Sequence, residues 1–539
     1  MLSRRTFARG FALALGTGTL QRGSLLDPRA AFAQPPQQSG WEAGKLFHVL
    51  PMVSHERILL KCSLNEPMAQ SPELIIHGRR NVGRRTDSRG LYWTFDLPGL
   101  RPDTEYQVEL RSEAGFLAEP WKLKTFPDPD SEAEHVRIVF YTCAGGHDAL
   151  LPNNTCQSLE VRQALIKRAL SFQPHAMVAN GDQVYWDLFA PRISKQYGNS
   201  EAAIAYAGRF DKTKPIFGTT NEEFLLKTGA EQIAPLYRTM CRSVPVFFVQ
   251  DDHDYYDNDE ASDEVITFPP SDTMMRLARA TQKLLYPEFL PDPNRPRGLP
   301  GTREDEGAPE ISSNYGTLRY GKLLEVLLYD NRRSASMHGP TAVFVDGEVE
   351  AWLKQRMQDK AVKHVVNAPG LPPGWTKGNW YEWYPDQFEQ GKASVAKPKP
   401  YWQSGWLAQH DRLIKAAHDM SGRIPLIISG DIHASAITRM QRTGSTDLSK
   451  NPVVSVLPGT IGTKGRSFPS SSRGNGIQTP NHLEVVDALK PIEQNGFMVA
   501  DFYKDRVDCA FYVWDGRSQV ASDISVIEAK HRATFQPVS

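Results

Sequence analysis

Directly after the apolar stretch Val246-Phe247-Phe248-Val249-Gln250, the chain places Asp251-Asp252-His253-Asp254, three carboxylates and an imidazole in one run. Without a cation, mutual repulsion would push some of these carboxyl groups above their ordinary pKa. Two further polar clusters close apolar runs in the same way. Gly181-Asp182-Gln183-Val184-Tyr185 follows Ala176-Met177-Val178-Ala179-Asn180, and Gly430-Asp431-Ile432-His433 follows Leu426-Ile427-Ile428-Ser429. Cys143 ends the run from Val136 to Thr142, and Arg332 follows Leu327-Leu328-Tyr329-Asp330-Asn331. Taken singly, each has an ordinary structural explanation: a free Cys packs as a small hydrophobe, and Gly-Asp suits a turn. Together they mix donor types. Hard cations take carboxylate oxygens, whereas a thiolate or an imidazole suits a softer or redox metal. Cys, Tyr, His and several Asp in one constellation point to two unlike metals.

Such residues need elements that bring them to one edge. From Val136 onward, short apolar runs alternate with helical stretches such as Val161 to Ser171 and Asp411 to Asp419. That alternation predicts an α/β domain over 136–539. In open α/β sheets, ligands bind beyond the carboxyl ends of the strands. Here those ends supply Cys143, Asp182, Asp252, Arg332, Asn367, Asp431 and His433. Residues 41–126 read differently. Ile58 to Cys62, Leu74 to Ile76, Leu91 to Phe95 and Tyr106 to Leu110 are β-branched or aromatic runs of strand length. Leu100 to Tyr106 resembles the tyrosine corner of fibronectin type III-like sandwiches, so a small β-sandwich is expected, joined by the Pro- and acid-rich segment 127–134.

The three clusters, in this order at strand ends, resemble those of the PhoD-like alkaline phosphatases within the calcineurin-like metallophosphoesterases. Asp330-Asn331-Arg332-Arg333, the stretch Trp402 to Leu413, and Pro458-Gly459-Thr460 support the resemblance. It implies a four-layer αββα sandwich preceded by the small β-sandwich. It also implies an enzyme that hydrolyses phosphate monoesters or diesters through metal-activated water. By this resemblance Cys143 and Tyr185 are thiolate and tyrosinate ligands of Fe(3+), and Asp182 bridges both metals. Asp252 and Asp431 hold the second metal, Ca(2+) in this family, and His433 is a further ligand on the iron side. His253 stands near the leaving group, with a structural hydrogen bond to a ligand carboxylate as its alternative. Arg332 binds the phosphate, since a planar guanidinium does so in bidentate fashion; a surface ion pair is its alternative. The sequence departs from many relatives at Asp254, where Glu is common, and at Tyr256, Asp257 and Ser334, which bear on substrate class.

Composition removes other classes. Lys+Arg and Asp+Glu are both 62 in 539 residues, so no net charge favours nucleic acid. Five scattered cysteines make neither a disulfide framework nor a CxxC zinc site. No apolar run is long enough for an integral membrane segment. There is no G-x-S-x-G elbow and no HExxH motif. The N-terminus carries Ser3-Arg4-Arg5-Thr6-Phe7, an apolar stretch from Phe11 to Leu20, and Ala31-Phe32-Ala33. This is a signal peptide over 1–33 of twin-arginine (Tat) type, with an ordinary Sec signal as the alternative. It implies the Tat translocase as an export partner and a periplasmic or secreted location. A catalytically inactive secreted binding protein on the same scaffold is the competing class, and a phospholipase D-like phosphodiesterase a competing activity. Residues 367–406 are rich in Trp and Tyr; they form either a lid over the site or a packed insertion. The Gly/Ser-rich loop 459–481 is expected to be mobile.

Overall fold

Four strands in the middle of the chain, Ala176–Asn180, Val246–Val249, Leu324–Tyr329 and His364–Pro369, are buried along their whole length. Continuous burial is what strands covered on both faces require. In the computed structural model, which describes residues 40–148, 155–186, 200–255, 270, 272–287, 315–378, 381–389, 392–395, 398–399 and 401–538, these strands lie in two large sheets. The segment 1–33 expected to be a signal peptide, and Tyr256, Asp257 and Trp380, fall outside the described residues.

The first sheet runs Val246–Val249, Ala176–Asn180, His135–Tyr141, Asn495–Tyr503, Val507–Trp514, Ala529–Phe535. Its first three strands are mutually parallel; from Asn495 onward the pairings are antiparallel. The second sheet runs Tyr315–Tyr320, Leu324–Tyr329, His364–Pro369, Leu426–Ile428, Val453–Pro458, Ser435–Thr443, Thr446–Asp447, with Leu483–Ile492 also paired to Ser435–Thr443.

Alternation along a strand sends successive side chains to opposite faces. Accordingly Val136, Ile138 and Phe140 share one apolar cluster with Val178, Phe247, Val326, Leu328, Val366 and Ile428, the filling between the two sheets. Val139 and Tyr141 belong to a second cluster with Leu165 and Ile166 of the helix Leu159–Leu170. Leu327 and Val365 join that second cluster together with Trp352, Leu353, Leu413 and Ile414 of the helices Gly347–Gln358 and Ser404–His418. Helices therefore cover the outer faces of two apposed sheets, the four-layer αββα arrangement.

The N-terminal region forms two smaller antiparallel sheets, one of Leu46–Val53, Ile58–Leu64, Tyr92–Leu97 and Arg84–Arg85, the other built on Glu73–Ile76 and Glu105–Ser112. The Arg101 N–H donates to the Tyr106 hydroxyl at 2.8 Å, the bond that defines a tyrosine corner. Phe126 stacks on Phe247 at 6.1 Å, so the apolar cluster of this region is continuous with the one between the large sheets. Among the described residues, no helix is long and apolar enough to cross a membrane.

One expected site residue is corrected. Asn367 does not reach the end of its strand. It lies within His364–Pro369 and its Nδ2 points to Met357 Sδ of a covering helix, at 3.4 Å. What that strand brings to the site edge is Gly370, whose closeness to Asp251 leaves no room for a side chain: a Cβ there would lie 2.9 Å from the carboxylate.

Candidate metal centre

Three loops that follow strands carry Cys143, Asp182 and Asp431, and all three residues take left-handed backbone conformations, with φ of 51°, 56° and 62°. Such conformations cost non-glycine residues roughly 1–3 kcal/mol each and persist only where the surroundings impose them. Here the loops hold one another. Cys143 N–H donates to Gly181 O at 3.1 Å, Gly145 N–H to Asp182 O at 3.0 Å, and Gly462 N–H to Cys143 O at 2.8 Å. The Asp254 carboxylate accepts from the backbone N–H of Asp182, Gln183, Val184 and Asp251, at 2.9–3.0 Å. It ties the acidic run to the Asp182 loop. Burial pushes its pKa up to about 7, against the pull of those N–H groups. Gly430 lets the Asp431 loop pass under the neighbouring strand, since a Cβ there would meet Asn180 O at 2.2 Å.

The first donor set gathers around Asp182. Cys143 Sγ lies 3.2 Å from Asp182 Oδ2, and Tyr185 OH donates to the same oxygen at 3.3 Å. His433 Nε2 lies 3.4 Å from Tyr185 OH. Cys143, Asp182 and His433 each offer a ligand atom within 4.8 Å of the other two. His433 Nδ1 is 2.7 Å from Ser467 O; a carbonyl only accepts, so Nδ1 carries the proton and the Nε2 lone pair faces the site. Burial, and next the Lys377 charge, lowers the His433 pKa to about 3, keeping the ring neutral. Burial also pushes the Cys143 thiol and the Tyr185 phenol well above their ordinary values, and Asp182 adds to both.

The second set is a cluster of carboxylates that meets Asp182 through Asp252. Asp251, Asp252 and Asp431 have carboxylate oxygens within 4.8 Å of one another, and a His253 nitrogen lies as close to Asp182 and Asp252. The His253 ring packs against Tyr185 with centroids 4.4 Å apart. Arg332 enters this set: Nε is 2.5 Å from Asp251 Oδ1, its NH2 is 3.3 Å from Asp431 Oδ1, and NH1 donates to Tyr381 O at 2.8 Å. Lys377 Nζ is 3.1 Å from Asp431 Oδ1. Burial raises the carboxyls of Asp182 and Asp251, the first further through Asp252, the second despite Arg332. Asp252 goes the other way, since His253, Arg332 and Lys377 outweigh its burial.

Four buried oxygens of this cluster, Asp182 Oδ1, Asp251 Oδ2, Asp252 Oδ1 and Asp431 Oδ2, have no hydrogen-bond partner among the described residues. Buried polar atoms normally find partners. Orphaned carboxylate oxygens on one side, and a thiol, phenol and imidazole on the other, fit two cations of unlike hardness.

The structure thus brings together Cys143, Asp182, Tyr185, Asp252, His253, Arg332, Asp431 and His433. It adds Asp251, which lies in the same acidic run, and Lys377. Only adjacency signalled the first, and no motif signals the second. The aromatic residues beside Lys377 are packing residues: Trp375, Tyr381, Trp383, Tyr384 and Trp406 are buried. The 459–481 loop carries a turn at Gly465–Ser467 and the helix Pro469–Arg473, and it anchors His433 through Ser467.

An αββα sandwich with these donors at its strand ends is a metallophosphoesterase architecture. A sequence model of the PhoD-like phosphatases matches residues 154–511, and the chain belongs to that family. It is accordingly a metal-dependent phosphoester hydrolase. No curated protein matches it in sequence. A solved structure of PhoD is similar with a TM-score of 0.57 at 14% identity, covering 94% of this chain and 92% of that one. The purple acid phosphatase PPD1 from yellow lupin (Lupinus luteus) seeds is similar with a TM-score of 0.53 at 12% identity, covering 91% and 73%. At these identities the two structures speak for the fold.

Proposed function

We propose that the protein is an exported dinuclear metallophosphoesterase, hydrolysing phosphate monoesters, diesters or both. The observation that carries this reading is Asp182, whose carboxylate groups with Cys143 and His433 on one side and with Asp252 and His253 on the other. Cys143, Tyr185 and His433 with Asp182 would hold Fe(3+); Asp182, Asp252 and Asp431, with Asp251 beside them, would hold Ca(2+). When bound, two such ions neutralise phosphoryl oxygens and lower the pKa of a water molecule. The chain's own groups position and protonate. Arg332, braced by Asp251 and the Tyr381 carbonyl, orients the phosphoryl group. His253, half-buried at the rim against Tyr185, donates a proton to the departing oxygen. Export through the Tat translocase is inferred from Arg4 and Arg5 with Phe7, the apolar stretch after them and Ala31-Phe32-Ala33.

The test uses purified protein with panels of aryl and alkyl phosphate mono- and diesters. His253→Ala should keep both metals and lose about 10²–10⁴-fold in rate, with a smaller loss for good leaving groups. Metal loss in step with rate would make His253 a ligand. No turnover of any phosphoester by the metal-loaded wild type would overturn the reading.

A further inference from the structure

Lys377 arrives at the site from the aromatic loop rather than from a strand end. Its Nζ lies 3.1 Å from Asp431 Oδ1 and 3.2 Å from the Asp431 carbonyl oxygen. Arg332 NH2 approaches the same Oδ1 at 3.3 Å, while Asp431 Oδ2 has no hydrogen-bond partner among the described residues. Two side-chain cations therefore crowd one oxygen of a residue whose other oxygen is left over.

The backbone that delivers Lys377 is fixed. Its N–H donates to Glu382 Oε1 at 3.0 Å, and the Thr376 hydroxyl donates to Glu382 Oε2 at 2.8 Å. Thr376 also exchanges two backbone hydrogen bonds with Gln478, at 2.9 and 3.0 Å. Glu382 is in turn paired with Lys399, whose Nζ is 2.5 Å away, both side chains being almost wholly buried. The buried aromatic residues fasten this assembly to the body. What remains adjustable at position 377 is the side chain, a flexible stem ending in three rotatable donors.

We propose that Lys377 is a phosphate-binding residue that rests on Asp431 in the metal-free chain and turns to the substrate's phosphoryl oxygens once Asp431 serves a metal. This inference rests on the phosphoesterase reading above. A metal cation held by Asp431 would repel the ammonium beside it, and in a buried, poorly screened site such repulsion is strong between near neighbours. An ammonium so displaced would stay within reach of the donor sets, where a substrate's phosphoryl oxygens would offer it an anion. The Lys377 charge already acts on groups of both sets, lowering His433 and helping to lower Asp252. Arg332, braced from two sides, is the rigid half of the clamp; Lys377 is the adjustable half.

The role makes two measurements move in different ways, which a purely structural ion pair would not. Calcium affinity is read by calorimetry on full chain stripped with chelator, and phosphate affinity by competitive inhibition with inorganic phosphate on the metal-loaded enzyme. Lys377→Met should weaken phosphate binding about 10- to 100-fold, the loss of one charge-assisted bond to an anion. KM should rise with it, while calcium binds as tightly as in wild type or more so. Lys377→Arg should restore most of the phosphate affinity. Unchanged phosphate inhibition in Lys377→Met overturns the proposal. So does a joint fall of calcium and phosphate affinity, which would make Lys377 a mere support of Asp431. If Lys377→Met fails to fold, Lys377→Gln, which keeps a hydrogen bond to the Asp431 carbonyl without the charge, carries the same expectations. Absence of turnover by wild type refutes the phosphoesterase reading itself. Turnover with Lys377-independent phosphate binding refutes this inference alone.

Discussion

Replacing Gly430 by alanine probes how the two sheets are joined at the site. The added Cβ would stand 2.2 Å from Asn180 O and 2.8 Å from Thr142 Oγ1. Neither atom can swing away. Asn180 O is backbone at the end of a central strand and accepts from Thr142 Oγ1 at 2.5 Å, while Asn180 Nδ2 donates to Pro369 O and Ile428 O, each at 3.0 Å. The Asp431 and Asp182 loops must therefore part by roughly 1 Å to reach ordinary van der Waals contact. The stability cost should be about 3 kcal/mol, the upper end of the usual range for overpacking. A 1 Å misplacement of positioned groups costs on the order of 10²-fold in rate. The assay is melting temperature, metal content and kcat on one preparation, with Gly347→Ala as control. At Gly347 a Cβ meets nothing within 4 Å, and stability and activity should be unchanged or slightly improved. A Gly430→Ala enzyme with wild-type melting, metal content and kcat would refute the close apposition of the two loops.

Asp182→Asn should lower the content of both metals together, measured by elemental analysis, because one carboxylate serves both donor sets; loss of one metal alone would remove its bridging role. Arg356→Ala should destabilise the fold by about 2 kcal/mol in denaturant titration, because Glu325, buried at 2%, loses a two-pronged partner at 2.9 and 2.6 Å and keeps Arg319 at 3.1 Å. Burial opposes the charge of Glu382, yet Lys399 holds its carboxyl below the ordinary range, so its contribution is present above the unfolded pKa and fades as pH falls below it. The stability of Glu382→Gln should thus converge on that of wild type in acid, and a constant gap across pH would contradict the sign. Arg4→Lys with Arg5→Lys should leave precursor in the cytoplasm, and normal secretion would point to Sec.

Much of the site was readable because strand ends in α/β sheets are short-range features. An apolar run, then Gly-Asp or Asp-Asp-His, states both the strand and what it delivers, as at Asp182, Asp252 and Asp431. Cys143 was readable for the same reason. Asn367 misled because the apolar run there continues through Ala368 and Pro369, so the polar residue sits inside the strand and faces a helix. Lys377 and Ser467 were invisible since each comes from a loop whose path depends on long-range packing, one through buried Trp and Tyr rings and the other through contacts to His433. Asp254 was legible as a charge but not as a clamp on four backbone N–H groups, a role that needs the two loops already folded. In the β-sandwich, Tyr106 announced its corner, whereas Arg79–Val82 carries no apolar alternation and Trp121–Lys124, though it alternates, is only four residues long.

Two unlike metals are proposed to share Asp182. Elemental analysis of the purified protein, paired with anomalous X-ray scattering at the iron edge, tests it most directly. The expected result is one iron beside Cys143, Tyr185 and His433 and one calcium among Asp252, Asp431 and Asp251, with Asp182 touching both. A fully active protein with no iron, or with a single ion not in contact with Asp182, would contradict it.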